Sequence, residues 1–225
     1  MADPAAAAAR GAELIAAQLR DAVAARGRAS LAVSGGRSPQ RMFDVLAAAV
    51  PWEHVDLFQV DERVAPAGHA DRNAVTIERA FAAQLARSPQ RFHLMPVESA
   101  DLEAAAASYA GELEAAAGYP PVLDAVHLGL GTDGHTASLF PGSPLLQEIG
   151  AAVAVTHEPH AGRRRMTLTL PVLDRARLAV FLVTGADKQA VLPRWLHGDR
   201  DIVASRVRCE RVVVVADLEA ARAIP

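Results

Sequence analysis

Cysteine is almost missing from this sequence: Cys209 is the single one among 225 residues. One thiol cannot form an internal disulfide, and it lacks Cys/His partners at the spacing a zinc site needs. A reducing, cytoplasmic setting is the expectation that follows, with no metal. Charge of one sign is lacking too. Lys plus Arg is 23 against Asp plus Glu 26, a formal net charge of -3, so no global field draws the chain to nucleic acid or to an anionic membrane. No run of ~18 apolar residues occurs, so no membrane-spanning helix is expected. The N-terminal stretch carries no basic patch; it opens with Asp3, and Glu13, Arg20 and Asp21 interrupt its alanines. That argues against a targeting segment and predicts an amphipathic helix within 1–27, with Leu14, Ile15, Leu19 and Val23 on its buried stripe.

Aromatics make up only 4%, yet apolar residues reach 51% and charged residues 22%. Such a composition buries a sizeable core and is poorly suited to disorder. One α/β domain over 1–225 is expected, because no internal repeat or flexible linker divides the chain. Short apolar runs predict strands at 31–34, 55–60, 123–130, 152–156, 166–170, 178–183 and 212–216. Helices are predicted at 39–50, 73–85, 101–117 and 187–196. This alternation is the pattern of a mostly parallel sheet with helices on both faces.

In open α/β sheets ligands bind at the carboxyl ends of the strands, so the residues following each strand carry the most information. After the first comes Ser34-Gly35-Gly36-Arg37-Ser38-Pro39. Two glycines permit close backbone approach, Ser38 is placed to cap a helix, and Pro39 fits its first turn. The unpaired N–H groups and the helix dipole then favour an anion, making a phosphate cradle; the plainer reading is a tight turn with an ordinary cap. After the second strand stands Asp61-Glu62-Arg63. Solvated charges often end a strand, but a carboxylate and a guanidinium here can bind sugar hydroxyls and phosphate.

The densest signal is Gly129-Leu130-Gly131-Thr132-Asp133-Gly134-His135-Thr136-Ala137-Ser138-Leu139-Phe140-Pro141. A strand runs into a glycine-rich turn that presents Asp133 and His135 two residues apart. Histidine moves protons near neutral pH, and a nearby carboxylate orients its ring and stabilises the imidazolium. Further along, Arg165 abuts the strand that follows Arg163-Arg164, and Lys188 follows Thr184-Gly185-Ala186-Asp187. A cation in the first turn of a helix opposes the dipole unless an anionic ligand compensates, which favours a binding role for Lys188.

These residues resemble the 6-phosphogluconolactonases. The motifs at Ser34–Pro39, Asp61–Arg63 with the downstream Asn73, Gly129–Pro141, Arg165–Pro171 and Thr184–Lys188 stand in the family's order and span nearly the whole chain. The resemblance implies a Rossmann-like α/β fold shared with glucosamine-6-phosphate deaminases. It also implies hydrolysis of 6-phospho-D-glucono-1,5-lactone, the second step of the oxidative pentose phosphate pathway, without a cofactor. The deaminases are the nearest rival. Their turn continues into Phe-Asn-Glu-Pro with a working glutamate, where this chain has Ser138-Leu139-Phe140-Pro141, and their Asp-Glu precedes an aromatic residue where this chain has Arg63. A sugar-phosphate-sensing domain is a third reading, weakened because no helix-turn-helix can be built ahead of the first strand.

The expected roles follow. His135 is the general base toward water at C1, and Asp133 orients its ring. Asp61 serves substrate hydroxyls or positioning. Ser34, Gly35, Gly36, Ser38, Arg63, Arg165 and Lys188 hold the phosphate. The expected partner is the phosphosugar lactone alone, acted on by a monomer.

Overall fold

The computed structural model describes residues 1–36 and 38–224; Arg37, part of the first loop motif, lies outside them. Helix α1 (Pro4–Arg26) opens on Asp3, whose carboxylate accepts the Ala6 N–H at 2.8 Å, and stops at Gly27 in the left-handed region. Its buried face is mostly small: Ala7, Ala8, Gly11, Ala12, Ala16 and Ala22 flank Ile15 and Leu19, while Leu14 and Val23 are only partly buried. The stripe falls where its period predicts, but alanine rather than leucine makes most of it, which lets the helix lie close on the sheet.

The chain then runs through β1 (Ala29–Val33), α2 (Gln40–Ala49), β2 (Val55–Gln59), β3 (Asp61–Arg63), α3 (Asn73–Ala80), α4 (Ala82–Arg87) and β4 (Phe92–His93). It continues through α5 (Leu102–Ala117), β5 (Ala125–Leu128), β6 (Val153–Val155), β7 (Arg165–Leu168), α6 (Leu170–Arg175), β8 (Ala179–Val183), α7 (Val191–Leu196) and β9 (Val212–Ala216). Six strands form a parallel sheet in the order β4-β2-β1-β5-β8-β9. Alternation along each strand divides the core. Leu31, Val33, Leu57, Val180 and Leu182 pack under α1 and α2, whereas Ala32, Phe58, Val126, Phe181 and Val183 face α5 and α6. The α/β expectation of a parallel sheet covered on both faces therefore holds.

Four predicted features are corrected. The runs at 152–156 and 166–170 do not join the main sheet; β6 and β7 form a separate antiparallel sheet with β3, in the order β3-β7-β6. Asp61-Glu62-Arg63, read as charges beyond a strand, is itself that sheet's edge strand, with Asp61 and Glu62 buried. Val60 stitches the two sheets: its N–H donates to Val33 O at 2.9 Å and its C=O accepts the Leu168 N–H at 2.8 Å.

Ser38 is not the cap of α2. Pro39 occupies that position, its C=O accepting the Phe43 N–H, and no side chain caps the helix. Lys188 does not stand in the first turn of α7 but in a separate 3-10 turn, Ala186–Lys188. Proline explains the gap. A helix begun at Asp187 would hold Pro193 in its interior, where the ring meets a carbonyl one turn back; beginning at Val191 keeps Pro193 in the first turn, where no N–H is needed.

Candidate active site

Strand order reverses at β1, between β2 on one side and β5 on the other, and the carboxyl ends of such neighbours diverge to leave a crevice. A pocket of about 430 Å³ opens there. Its walls come from both sheets. The turns after β1 and β5 supply Ser34, Gly35, Ser38, Gly131 and His135; β3 and β7 supply Asp61, Arg63 and Arg165; Lys188 reaches in from the turn after β8. The structure thus brings together eight of the ten residues singled out from the sequence. Gly36 and Asp133 do not line the pocket. Gly36, at φ +107°, borders an adjoining cavity of about 140 Å³, and Asp133 stands behind His135.

The Asp133–His135 turn is closed by backbone bonds from Gly131 N–H to His135 O and from Gly134 N–H to Gly131 O. Asp133 Oδ1 accepts the His135 backbone N–H at 3.1 Å and, with Nδ1 assigned as the protonated ring nitrogen, a second bond from it at 2.6 Å. That assignment leaves Nε2 as the nitrogen able to take a proton. Burial pushes the Asp133 carboxyl upward, but the two bonds and the imidazole outweigh it and hold it below its ordinary value. Gly131 is required by contact: a Cβ there would lie inside the His135 ring's van der Waals radius and 2.6 Å from Asp133 Oδ1.

Asp61 is buried with both oxygens engaged. Oδ2 accepts from Ser138 Oγ at 2.7 Å and Oδ1 from Asn73 Nδ2 at 3.2 Å. Gly35 passes so close to Asn73 that a Cβ would strike its side chain. Beside them Glu62, fully buried, accepts the N–H groups of Asn73 and Ala74 that open α3, together with that of Arg63, and pairs with Arg72 at 3.0 Å. The acid that looked like a surface charge is thus the N-terminal anchor of a helix.

At the cationic end, Arg63 and Arg165 each have a buried Nε without a hydrogen-bond partner among the described residues, and so does Ser34 Oγ. Unsatisfied buried donors of this kind mark a place where a ligand's acceptors fit. Burial, then the neighbouring Arg63, lowers Arg165, with Asp61, Glu62 and Asp71 pulling the other way. Lys188 Nζ lies 2.7 Å from Asp187. Its turn is anchored by Gly185 N–H donating to the fully buried Asp217. Under the first loop His127, completely buried, is depressed by burial to about 4 and stays neutral. No three His, Cys, Asp or Glu side chains among the described residues converge in a way that could hold a metal ion.

Sequence reasoning missed Ser138 as a partner of Asp61 and missed His160 altogether. Ser138 and Asp61 are 77 residues apart, so nothing local joins them. His160 stacks on Phe140 with centroids 3.7 Å apart, and Phe140 in turn lies 4.7 Å from His135. An apolar ring therefore touches the imidazole at the position where the deaminase motif carries its glutamate.

The fold and this pocket define an α/β protein with a site for a small anionic molecule. The profile of the Glucosamine-6-phosphate isomerases/6-phosphogluconolactonase family matches residues 2–215, and the chain belongs to that family. It is similar to the 6-phosphogluconolactonase of Synechocystis sp., 39% identical over 180 residues that cover 78% of this chain and 74% of that protein. A second relative is the 6-phosphogluconolactonase of Streptomyces coelicolor, 36% identical over 200 residues, 82% of this chain and 76% of that one. Among solved structures, a 6-phosphogluconolactonase from Shewanella baltica superposes with a TM-score of 0.83 at 30% identity, covering 96% of this chain and 95% of the other.

Proposed function

We propose that this protein hydrolyses 6-phospho-D-glucono-1,5-lactone to 6-phospho-D-gluconate, the second step of the oxidative pentose phosphate pathway. The observation that carries this reading is the His135 ring, tied at Nδ1 to Asp133 and faced by Phe140 instead of a carboxylate. That set suits activation of one water at an ester carbon; it does not suit the several proton transfers that ring opening and amine loss require.

In this reading Nε2 of His135 takes a proton from water as the water oxygen bonds to C1. When the tetrahedral intermediate collapses, the bond from C1 to the ring oxygen breaks and the same proton passes to that oxygen, which becomes the C5 hydroxyl. Asp133 stabilises the transient imidazolium. The phosphate rests against Arg63, Arg165, Lys188 and the Ser34–Ser38 loop, so binding energy far from the reacting carbon positions it. Asp61, fixed by Ser138 and Asn73, accepts from sugar hydroxyls. No cofactor takes part.

The whole chain works as one domain, a cytoplasmic monomer acting on this small molecule alone, with no nucleic-acid or membrane partner. Among the described residues no helix is long and apolar enough to cross a membrane. A coupled assay with fresh phosphogluconolactone, corrected for spontaneous hydrolysis, tests the activity, with glucosamine 6-phosphate in parallel. Rapid lactone consumption without ammonia is expected, falling ~10²-fold or more in His135→Ala. Ammonia released in step with fructose 6-phosphate would replace this reading with the deaminase one.

A further inference from the structure

We propose that His160 is a second substrate-contacting imidazole, whose N–H donates to the carbonyl oxygen at C1 while His135 activates the water. The inference rests on the lactonase reading above. Its basis is how firmly a nominally exposed side chain is held at the catalytic end of the pocket.

Three constraints fix the residue. The β6–β7 connection turns through Ala161 and Gly162, with the His160 N–H bonded to Arg163 O at 2.9 Å and the Arg163 N–H to His160 O at 3.2 Å. Both central residues have positive φ, +50° and +76°, the tight hairpin turn whose twist matches the flanking strands. Glycine takes that conformation freely; Ala161 does not, and strained non-glycine residues of this kind persist where surrounding structure enforces them, often at binding sites. Arg165 Nη2 then donates to His160 O at 3.1 Å, linking the hairpin to the cationic end of the pocket. Finally, the ring lies nearly flat on Phe140, with planes 19° apart.

Phe140 sits against both imidazoles, and the His135 and His160 centroids are 6.0 Å apart. One small oxygen-bearing group between the rings can hydrogen-bond to each. The two rings differ in what they can do there. His135 has a carboxylate on Nδ1, so it can accept a proton and hold the charge. The ring nitrogens of His160 have no partner among the described residues. Partial burial, then His135 and Arg165, push it below its ordinary value against the weaker pull of Asp133. That direction favours the neutral ring, which has one N–H to give.

A neutral donor aimed at an oxygen that is gaining charge stabilises the transition state without surrendering its proton. As the water oxygen bonds to C1 and its proton moves to His135, the carbonyl π pair shifts onto oxygen, where the His160 N–H meets it. The pair returns as the ring C–O bond breaks, and His160 ends with the proton it began with.

The test uses three full-length variants. His160→Phe keeps a flat ring for the Phe140 stack and removes the donor; His160→Ala removes both; His160→Gln restores an N–H. Lactone hydrolysis is measured with the spontaneous rate subtracted, alongside thermal unfolding. Expected is a loss of about a hundredfold in kcat for the Phe and Ala variants, with KM nearly unchanged, partial recovery in Gln, and an unfolding temperature in Phe equal to wild type. Wild-type kcat in His160→Phe would reduce the ring to packing and overturn the proposal alone. A wild-type protein inactive above the spontaneous rate would overturn the lactonase reading and this proposal with it.

Discussion

Arg63 and Arg165 stand directly opposite one another in the antiparallel register of β3 and β7. Like charges in facing positions destabilise a strand pair, and neither residue relieves the other by pairing with a carboxylate within 4.0 Å among the described residues. A dianion bound between them would turn the repulsion into a clamp.

The first prediction separates what this pair does for binding from what it does for the fold. Arg63→Gln should lower kcat/KM on the phosphorylated lactone roughly tenfold to a hundredfold, the scale of a lost charged hydrogen bond, and affect glucono-1,5-lactone far less. Without ligand its unfolding temperature should match or exceed that of wild type, since one of two facing charges is gone. Steady-state kinetics on both lactones and a thermal melt check it; equal losses on the two substrates would show that Arg63 does not read the phosphate.

Gly131 makes the second. With no room for a Cβ beside His135 and Asp133, Gly131→Ala should rotate the imidazole away from its carboxylate. A misplacement of about 1 Å at the reacting group costs on the order of a hundredfold in kcat. Circular dichroism should remain native and KM should change little. A Gly131→Ala enzyme at wild-type kcat would mean that the ring need not hold its observed position.

The third concerns stability and lies away from the pocket. His93 bridges two acids, Glu112 through Nδ1 at 2.8 Å and Asp56 through Nε2 at 3.1 Å, and stacks on Phe58. Burial lowers its pKa, but the bonds and charges of Asp56 and Glu112 outweigh that and raise it above 6.5. A pKa raised by folding contributes stability that is complete below the unfolded value and lost as pH climbs through the folded one. The urea midpoint of wild type relative to His93→Gln should therefore be highest below pH 6.5 and shrink on the alkaline side. A difference that is flat with pH would show that the bridge does not titrate as described.

The parts of this molecule that were legible in its sequence are those encoded by neighbours. Asp133 and His135 declare themselves because the turn, the acid and the base lie within three residues, and the buried strands of the main sheet read as short apolar runs. The second sheet was illegible for the opposite reason. Asp61-Glu62-Arg63 has no strand propensity; it is extended because β7, far along the chain, supplies its ladder. Lys188 was placed near the site but on the wrong element, because Pro193 governs where α7 begins. Ser138 and His160 acquire meaning only once Asp61 and Phe140 are beside them in space.

Val60 carries a consequence for how this protein can change over evolutionary time. One residue belongs to both hydrogen-bond ladders, through its N–H on one side and its C=O on the other, so the two sheets share a single register. Side chains alternate faces along a strand, and inserting one residue beside Val60 would turn Asp61 and Arg63 to the opposite side while leaving the main sheet intact. The main sheet would survive such an insertion; half of the pocket would not. Length variation among descendants of this chain is therefore expected in the loop between β3 and α3 and to be excluded from the short path between Gln59 and Asp61.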